Sequence, residues 1–314
     1  MPNAEDPAVP TYPVSASDDG KEGWVRFDFM VSPEGKAYEI ALTDHVGDDA
    51  FIRAAREALE QTEFTPAMVG DRAVDGSATQ VYQFMISGGP GVARQGFANR
   101  YRRFMTTLSE GSQAEAAADL AMLEDADAAN NYEYAYLSLA KYNFAARYGT
   151  SEEQLRYLQN ALGESAYQPE LEGFLPDEIV TPSRRALFAL MVRNGHFAEA
   201  LDVWKLMEDR GDEEGLGSFR PAHDQLLAFR ENDDPYAVEA QLDENGLWRL
   251  SLFKDDFYLD GIMGAVDQLK LRCERDFVSL AFDPETQYSV ADDAGNCSLE
   301  TVGTPGTTFR LVQL

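Results

Sequence analysis

From Trp24 to Val31, apolar and polar positions alternate. Val25, Phe27, Phe29 and Val31 share one face and Arg26 and Asp28 the other, the period-two pattern of a half-buried strand. Ser32-Pro33-Glu34-Gly35 supplies turn chemistry, and Tyr38, Ile40 and Leu42 continue as a second strand. Asp48-Asp49 then offers an acidic helix start before Phe51, Ile52, Ala55, Ala58 and Leu59, whose helical spacing ends ahead of Phe64-Thr65-Pro66. A last strand, Gln80 to Ile86, places Tyr82, Phe84 and Ile86 opposite Val81, Gln83 and Met85. The order is strand, strand, helix, strand.

Gly88-Gly89-Pro90-Gly91 breaks this pattern and sets a first boundary. Beyond it the period lengthens to that of helices, over Phe97 to Leu108, Gln113 to Leu123 and Asn131 to Arg147. Ser151-Glu152-Glu153 reads as the capped start of another helix, carrying Leu155, Leu158, Ala161 and Leu162. Arg184 to Asn194 stops at Gly195 and is followed by Phe197, Ala200, Leu201, Trp204 and Met207. From Pro235 the alternation returns. Tyr236, Val238, Ala240 and Leu242 lead to an Asn245-Gly246 hairpin turn and to Trp248, Leu250 and Leu252. Further short strands fall at Leu269 to Cys273, Phe277 to Phe282, Cys297 to Thr301 and Thr308 to Leu311. The expected organisation is α+β and multidomain. It comprises a linker at 1–9, a ββαβ module at 10–90, a helical domain at 91–232, and an antiparallel sandwich or barrel at 233–314.

Composition narrows the partners. A chain of 314 residues with 44% hydrophobic residues builds real cores, and its formal net charge of -29, spread along the whole length, repels phosphate backbones and anionic lipid. Nucleic acid is therefore not an expected partner. No apolar run reaches the roughly 18 residues of a membrane span, and the first residues, Pro2-Asn3-Ala4-Glu5-Asp6, form no signal-peptide pattern. The sequence as it stands shows neither a span nor a targeting signal.

Several short motifs carry a resemblance. Tyr12-Pro13, Glu22-Gly23-Trp24-Val25-Arg26-Phe27-Asp28-Phe29-Met30-Val31 with Gly35, Phe51-Ile52-Arg53-Ala54-Ala55, Phe64-Thr65-Pro66-Ala67 and Val81-Tyr82-Gln83-Phe84 follow one another in order. Together, over residues 10 to 87, they resemble the C-terminal domain of the TonB family of energy transducers. The resemblance implies a periplasmic setting and capture of an extended peptide of an outer-membrane transporter by strand addition at the last strand. On this chain those positions are Gln80, Val81, Tyr82, Gln83, Phe84, Met85 and Ile86. Farther on, Leu190, Gly195, Ala200, Trp204 and Met207 resemble a tetratricopeptide helical hairpin, and Gly149, Leu158 and Ala161 echo it at a spacing wider than that family's repeat of about 34 residues. Tyr132, Tyr134, Tyr136, Tyr142 and Tyr148 are candidates for a concave groove or, more simply, for core.

Catalytic signatures are scarce. His45, His196 and His223 have no ligand spacing, Asp125-x-Asp127 with Asn130 lacks the glycine and distal glutamate of a calcium loop, and neither a phosphate loop nor a nucleophile elbow occurs. The adjacent pairs Asp255-Asp256 and Asp292-Asp293 would point to opposite faces of a strand. No metal, cofactor or catalytic residue is assigned. The expectation is a non-catalytic periplasmic protein that holds a partner peptide or protein. The alternatives are an envelope scaffold built on the helical repeat, or a hydrolase whose acidic groups converge only in space.

Cys273 and Cys297 are the chain's two cysteines, both in the β-rich segment at strand positions. A disulfide between them would close a loop of roughly 25 residues, stabilise the fold by about 3.5 kcal/mol and point to an oxidising compartment. A thiol reductant should then lower the melting temperature of this segment. Unchanged melting, or two free thiols on labelling under denaturing, non-reducing conditions, would rule the bond out.

Overall fold

The computed structural model describes residues 2–4, 7–86, 92–126, 128–163 and 173–314. Gly88-Gly89-Pro90-Gly91 and Asp127 lie outside the described residues. The N-terminal part runs β1 (Asn3–Ala4), α1 (Val14–Asp18), β2 (Gly23–Val31), β3 (Ala37–Val46), α2 (Asp49–Gln61), β4 (Phe64–Thr65), β5 (Ala67–Val69), β6 (Arg72–Val74) and β7 (Gly76–Phe84). β2 sits at the centre of an antiparallel sheet ordered β3-β2-β7. Val25, Phe27, Phe29 and Val31 pack with Tyr82, Phe84 and the α2 residues Phe51, Ala55, Ala58 and Leu59 into one core. Phe51 stacks on Phe84 with ring centroids 4.3 Å apart, and the Asp48 carboxylate caps α2 by accepting from the Ala50 N–H at 2.9 Å. The first residues, expected as a free linker, are tied down. β1 pairs with β4, and the Ala8 N–H donates to Thr62 Oγ1 at 3.0 Å.

The last strand is longer at its start and shorter at its end than the expected Gln80 to Ile86. It stops at Phe84 because its partner begins at Gly23, directly opposite. Ile86 lies beyond the ladder, where its N–H donates instead to Glu22 Oε1 at 3.0 Å.

Seven helices follow among the described residues: α3 (Gln95–Glu110), α4 (Gln113–Glu124), α5 (Asn131–Tyr148), α6 (Ser151–Leu162), α7 (Asp177–Arg193), α8 (Phe197–Asp209) and α9 (Glu213–Glu231). Capping boxes start α4 at Ser112 and α6 at Thr150, one residue ahead of the expected cap. α7 begins seven residues before the expected Arg184, carrying Pro182 inside it, and α9, which contains Pro221, was not expected. Packing of Val180, Leu187, Leu216 and Leu226 into a shared core holds these helices through their prolines. No helix among the described residues is long and apolar enough to cross a membrane.

The C-terminal part comprises β8 (Tyr236–Gln241), β9 (Leu247–Ser251), β10 (Asp256–Met263), β11 (Val266–Cys273), β12 (Phe277–Ala281), β13 (Tyr288–Ser289), β14 (Cys297–Gly303) and β15 (Thr308–Gln313). Two antiparallel sheets, β13-β10-β15-β8 and β12-β11-β14-β9, enclose one core that includes Leu250, Phe257, Leu271, Leu299 and Phe309. The arrangement is a sandwich. Asn245-Gly246 does form a turn, with Gly246 at φ 74° and the Asp243 N–H donating to the Leu247 carbonyl. It does not make the expected hairpin, since β8 pairs with β15 and β9 with β14, so the turn carries the chain from one sheet to the other. Cys273 and Cys297 face each other in the β11–β14 ladder and are disulfide-bonded, with their Cα atoms 4.0 Å apart.

Three interfaces lock these parts together. The Glu22 N–H donates to the Ala129 carbonyl at 2.7 Å, and Glu22 Oε2 accepts from the Asn131 N–H at 3.3 Å, which joins β2 to the helices. Phe197, Phe229, Tyr236 and Phe253 form an aromatic cluster between helices and sandwich, with neighbouring centroids 5.0 to 6.1 Å apart. Between β3 and the sandwich, Glu39 accepts from Lys270 Nζ at 2.7 Å and, through its carbonyl, from Arg272 Nη1 at 2.7 Å.

Candidate functional site

Alternation along β2 decides which backbone groups of β7 are free. The Arg26 carbonyl accepts from Thr43 Oγ1 of β3 and the Ser32 N–H donates to the Lys36 carbonyl, so the even-numbered residues of β2 address β3 and the odd-numbered ones address β7. In the β2–β7 register, Val25 meets Tyr82, Phe27 meets Gln80 and Phe29 meets Ala78. Those β7 residues spend their backbone groups on β2. Ser77, Thr79, Val81 and Gln83 therefore turn theirs outward, and the Val81 carbonyl accepts from the Gln80 side-chain amide at 3.0 Å. Among the described residues no backbone partner meets these four amides.

Of the seven positions expected to bind a partner, Tyr82 and Phe84 are buried against α2, Gln80, Val81 and Ile86 are half-buried, and Gln83 and Met85 are exposed. The structure thus gathers the seven on one edge but divides them between core and surface, as period-two alternation requires.

The outer face of the same sheet looks onto a cleft of about 650 Å³. Ser77 and Thr79 form one wall, Asp202 and Lys205 of α8 a second, and Arg272, Glu274 and Ser298 of the sandwich a third. The Asp202 side chain keeps an exposed surface, yet desolvation by the walls around it, together with Glu199 and Glu274, outweighs the pull of Lys205 and pushes its carboxyl up to about 6. Asp28, Asp202 and Glu274 bring three carboxylates to this cleft, groups that acid–base hydrolysis would need, and Asp28 accepts from Thr79 Oγ1 at 2.7 Å. Glu274, however, already accepts from Asn296 Nδ2 at 2.9 Å, and Lys205, Arg230 and Arg272 stand in the same walls, so the surface is one of mixed, mutually compensating charge. The histidines pair with neighbouring carboxylates, His45 with Asp49, His196 with Glu199 and His223 with Asp224. Among the described residues no three metal-ligating groups come together.

The five tyrosines divide. Tyr134, Tyr136, Tyr142 and Tyr148 pack against the helical cores, and Tyr136 also lines a separate pocket with Tyr132, Phe97, Tyr101 and Phe174. Sequence spacing did not reveal this pocket, because it is built from α3, α5 and the chain before α7, three segments far apart in sequence.

Comparison with known proteins matches residues 8–86 to the family described as Gram-negative bacterial TonB protein C-terminal. The chain is 32% identical over 77 residues to Protein TonB of Pseudomonas aeruginosa, covering 24% of this chain and 22% of that protein. It therefore spans about a fifth of the length of that relative. The solution NMR structure of the Pseudomonas aeruginosa TonB C-terminal domain aligns at 28% identity with a TM-score of 0.25, covering 27% of this chain and 86% of that one. The match covers the segment picked out by its sequence motifs, to within two residues at either end.

A pH dependence follows from Asp202. Its folded-state carboxyl binds a proton more tightly than an unfolded one, so its ionisation disfavours the fold, and stability present at low pH is lost as pH rises through about 6. Allowing for its exposure, the wild type should lose at most about 1 kcal/mol relative to Asp202→Asn between pH 4 and pH 7.5. Urea titrations at the two pH values measure this; a difference that stays constant or reverses would contradict it.

Proposed function

We propose that this chain is a non-catalytic, TonB-like protein of the Gram-negative periplasm that holds an extended partner peptide by strand addition along Gln80–Ile86. The observation that carries this reading is the position of β7 at the edge of a sheet whose sequence matches the TonB C-terminal family. Outward amides and carbonyls at Val81 and Gln83 would supply a new ladder, and the exposed side chains of Gln83 and Met85 would read alternate residues of the partner. The partner would be an outer-membrane transporter or another envelope protein. The disulfide between Cys273 and Cys297 suits the oxidising compartment that this setting provides.

Energy transduction is a role of the family, and in this chain the matching segment forms one of three proposed domains, 10–90, 91–232 and 233–314. The locking of its sheet to the helices through Glu22 and to the sandwich through Glu39 favours a second reading. In that reading the chain is an envelope adaptor that presents its strand edge from a rigid body, with the helical hairpins as a tetratricopeptide-like scaffold.

Strand addition is tested by peptide capture. The full chain is screened against a library of extended peptides, and captured peptides are measured by fluorescence polarisation against Gln83→Ala and Gln83→Pro. Gln83→Pro removes an outward N–H and should weaken binding at least about tenfold, while Gln83→Ala, which keeps the backbone donor, should stay within about twofold. Equal binding by wild type and Gln83→Pro would show that the peptide docks elsewhere.

A further inference from the structure

The pocket between α3, α5 and the chain leading into α7 has a volume of about 550 Å³, within the range of sites that enclose small ligands or single side chains. Its walls are aromatic. Phe97, Tyr101, Tyr132, Tyr136 and Phe174 surround it, with Tyr101 set edge-on to Tyr136 at 5.2 Å and Tyr132 edge-on to Phe174 at 5.5 Å.

The chain has 55 acidic and 26 basic residues, yet no Asp or Glu is among the described residues that line this pocket, and the one charged side chain there is Arg102. Arg102 is exposed and makes no ion pair with a described residue, whereas Arg94, Arg103 and Arg147 nearby are all engaged by protein acceptors. The phenol hydroxyls of Tyr101, Tyr132 and Tyr136 donate to no described residue either. The pocket therefore offers an apolar enclosure with unspent hydrogen-bond donors and a free guanidinium.

A second feature lies next to it. Asn131 is 1% exposed, and both its Oδ1 and its Nδ2 lack a partner. It faces a chamber of about 10 Å³ with Trp24 and Gln83, room for about one water, that shares Gly173 and Phe174 with the aromatic pocket as a common wall. A buried amide left without partners is costly, and a donor and an acceptor side by side match a single water there.

We propose that this pocket binds the C-terminal residue of a peptide, a bulky apolar side chain filling the aromatic walls and its free carboxylate paired with Arg102. The site is separate from strand addition at β7 and does not depend on it. The shared chemistry, an apolar body bearing a carboxylate, is also that of a free fatty or aromatic acid, and the test separates the two.

Calorimetric titration of the full chain uses three probes: an acetylated tetrapeptide ending in phenylalanine with a free carboxylate, the same peptide as its carboxamide, and decanoate. The wild type should bind the free acid about tenfold more tightly than the carboxamide. Arg102→Gln, an exposed substitution expected to leave the melting temperature unchanged, should abolish that preference. The peptide acid, whose phenylalanine ring meets the aromatic walls, should bind more tightly than decanoate. Failure of every probe to bind, equal binding of acid and carboxamide, or an unaltered preference in Arg102→Gln would overturn the site. Decanoate binding as tightly as the peptide would overturn the peptide assignment in favour of a free acid.

Discussion

Glu39 holds a left-handed backbone conformation, φ 48°, that a residue with a side chain adopts at a cost of about 1 to 2 kcal/mol. The conformation aims two acceptors of one residue at the same sheet. Its carbonyl takes Arg272 Nη1 and its carboxylate takes Lys270 Nζ, both at 2.7 Å, while Arg272 and Lys270 also lean toward the buried Glu300, which Arg249 engages through Nε at 2.6 Å. Burial would raise the Glu39 carboxyl, but Lys270 and Arg272 outweigh it and hold the group below its usual range. Arg272 and Glu300 are buried while Glu39, Lys270 and Arg249 are half-buried, and buried charges are tolerated only when paired, so the N-terminal sheet and the sandwich meet in one register.

That fastening explains the shape of the candidate site. The sandwich is anchored at the β3 side of the sheet, and the cleft opens on the β7 side, beneath Ser77 and Thr79. On the helical side, Glu22 connects the start of β2 to Ala129 and Asn131 and also receives the Ile86 N–H, so one carboxylate ends β7 and begins the contact with α5. The edge strand is thus framed at both ends and left unpaired along its middle, the condition for accepting another strand without exposing a long edge to indiscriminate association.

Much of this was legible in the sequence. The alternation of Val25, Phe27, Phe29 and Val31 and the spacing of Phe51, Ala55, Ala58 and Leu59 dictated the N-terminal core, and the motifs carried by those residues gave the family match. The helices after Pro176 were legible only in part, α7 only from Arg184 and α9 not at all: Pro182 and Pro221 carry a local penalty, whereas the packing that overrides it comes from distant residues such as Leu187 and Leu226. Asn245-Gly246 misled the reading of the sandwich for a related reason: a turn type is a local property, but which sheet a strand joins is decided by the whole core. Glu39, Asp202 and Arg102 had no sequence signature at all. Each matters through what a segment distant in sequence places beside it, or fails to place there, and single-sequence periodicity carries no such information.

The account rests on β7 being an open edge in the intact chain. Hydrogen exchange at single-residue resolution on the free, full-length protein measures that directly. Ser77, Thr79, Val81 and Gln83 should exchange rapidly, and Ala78, Gln80 and Tyr82, which bond to β2, should exchange slowly, giving an alternation along one strand. Uniform protection from Ser77 to Gln83 would mean that the edge is already paired and would contradict the account.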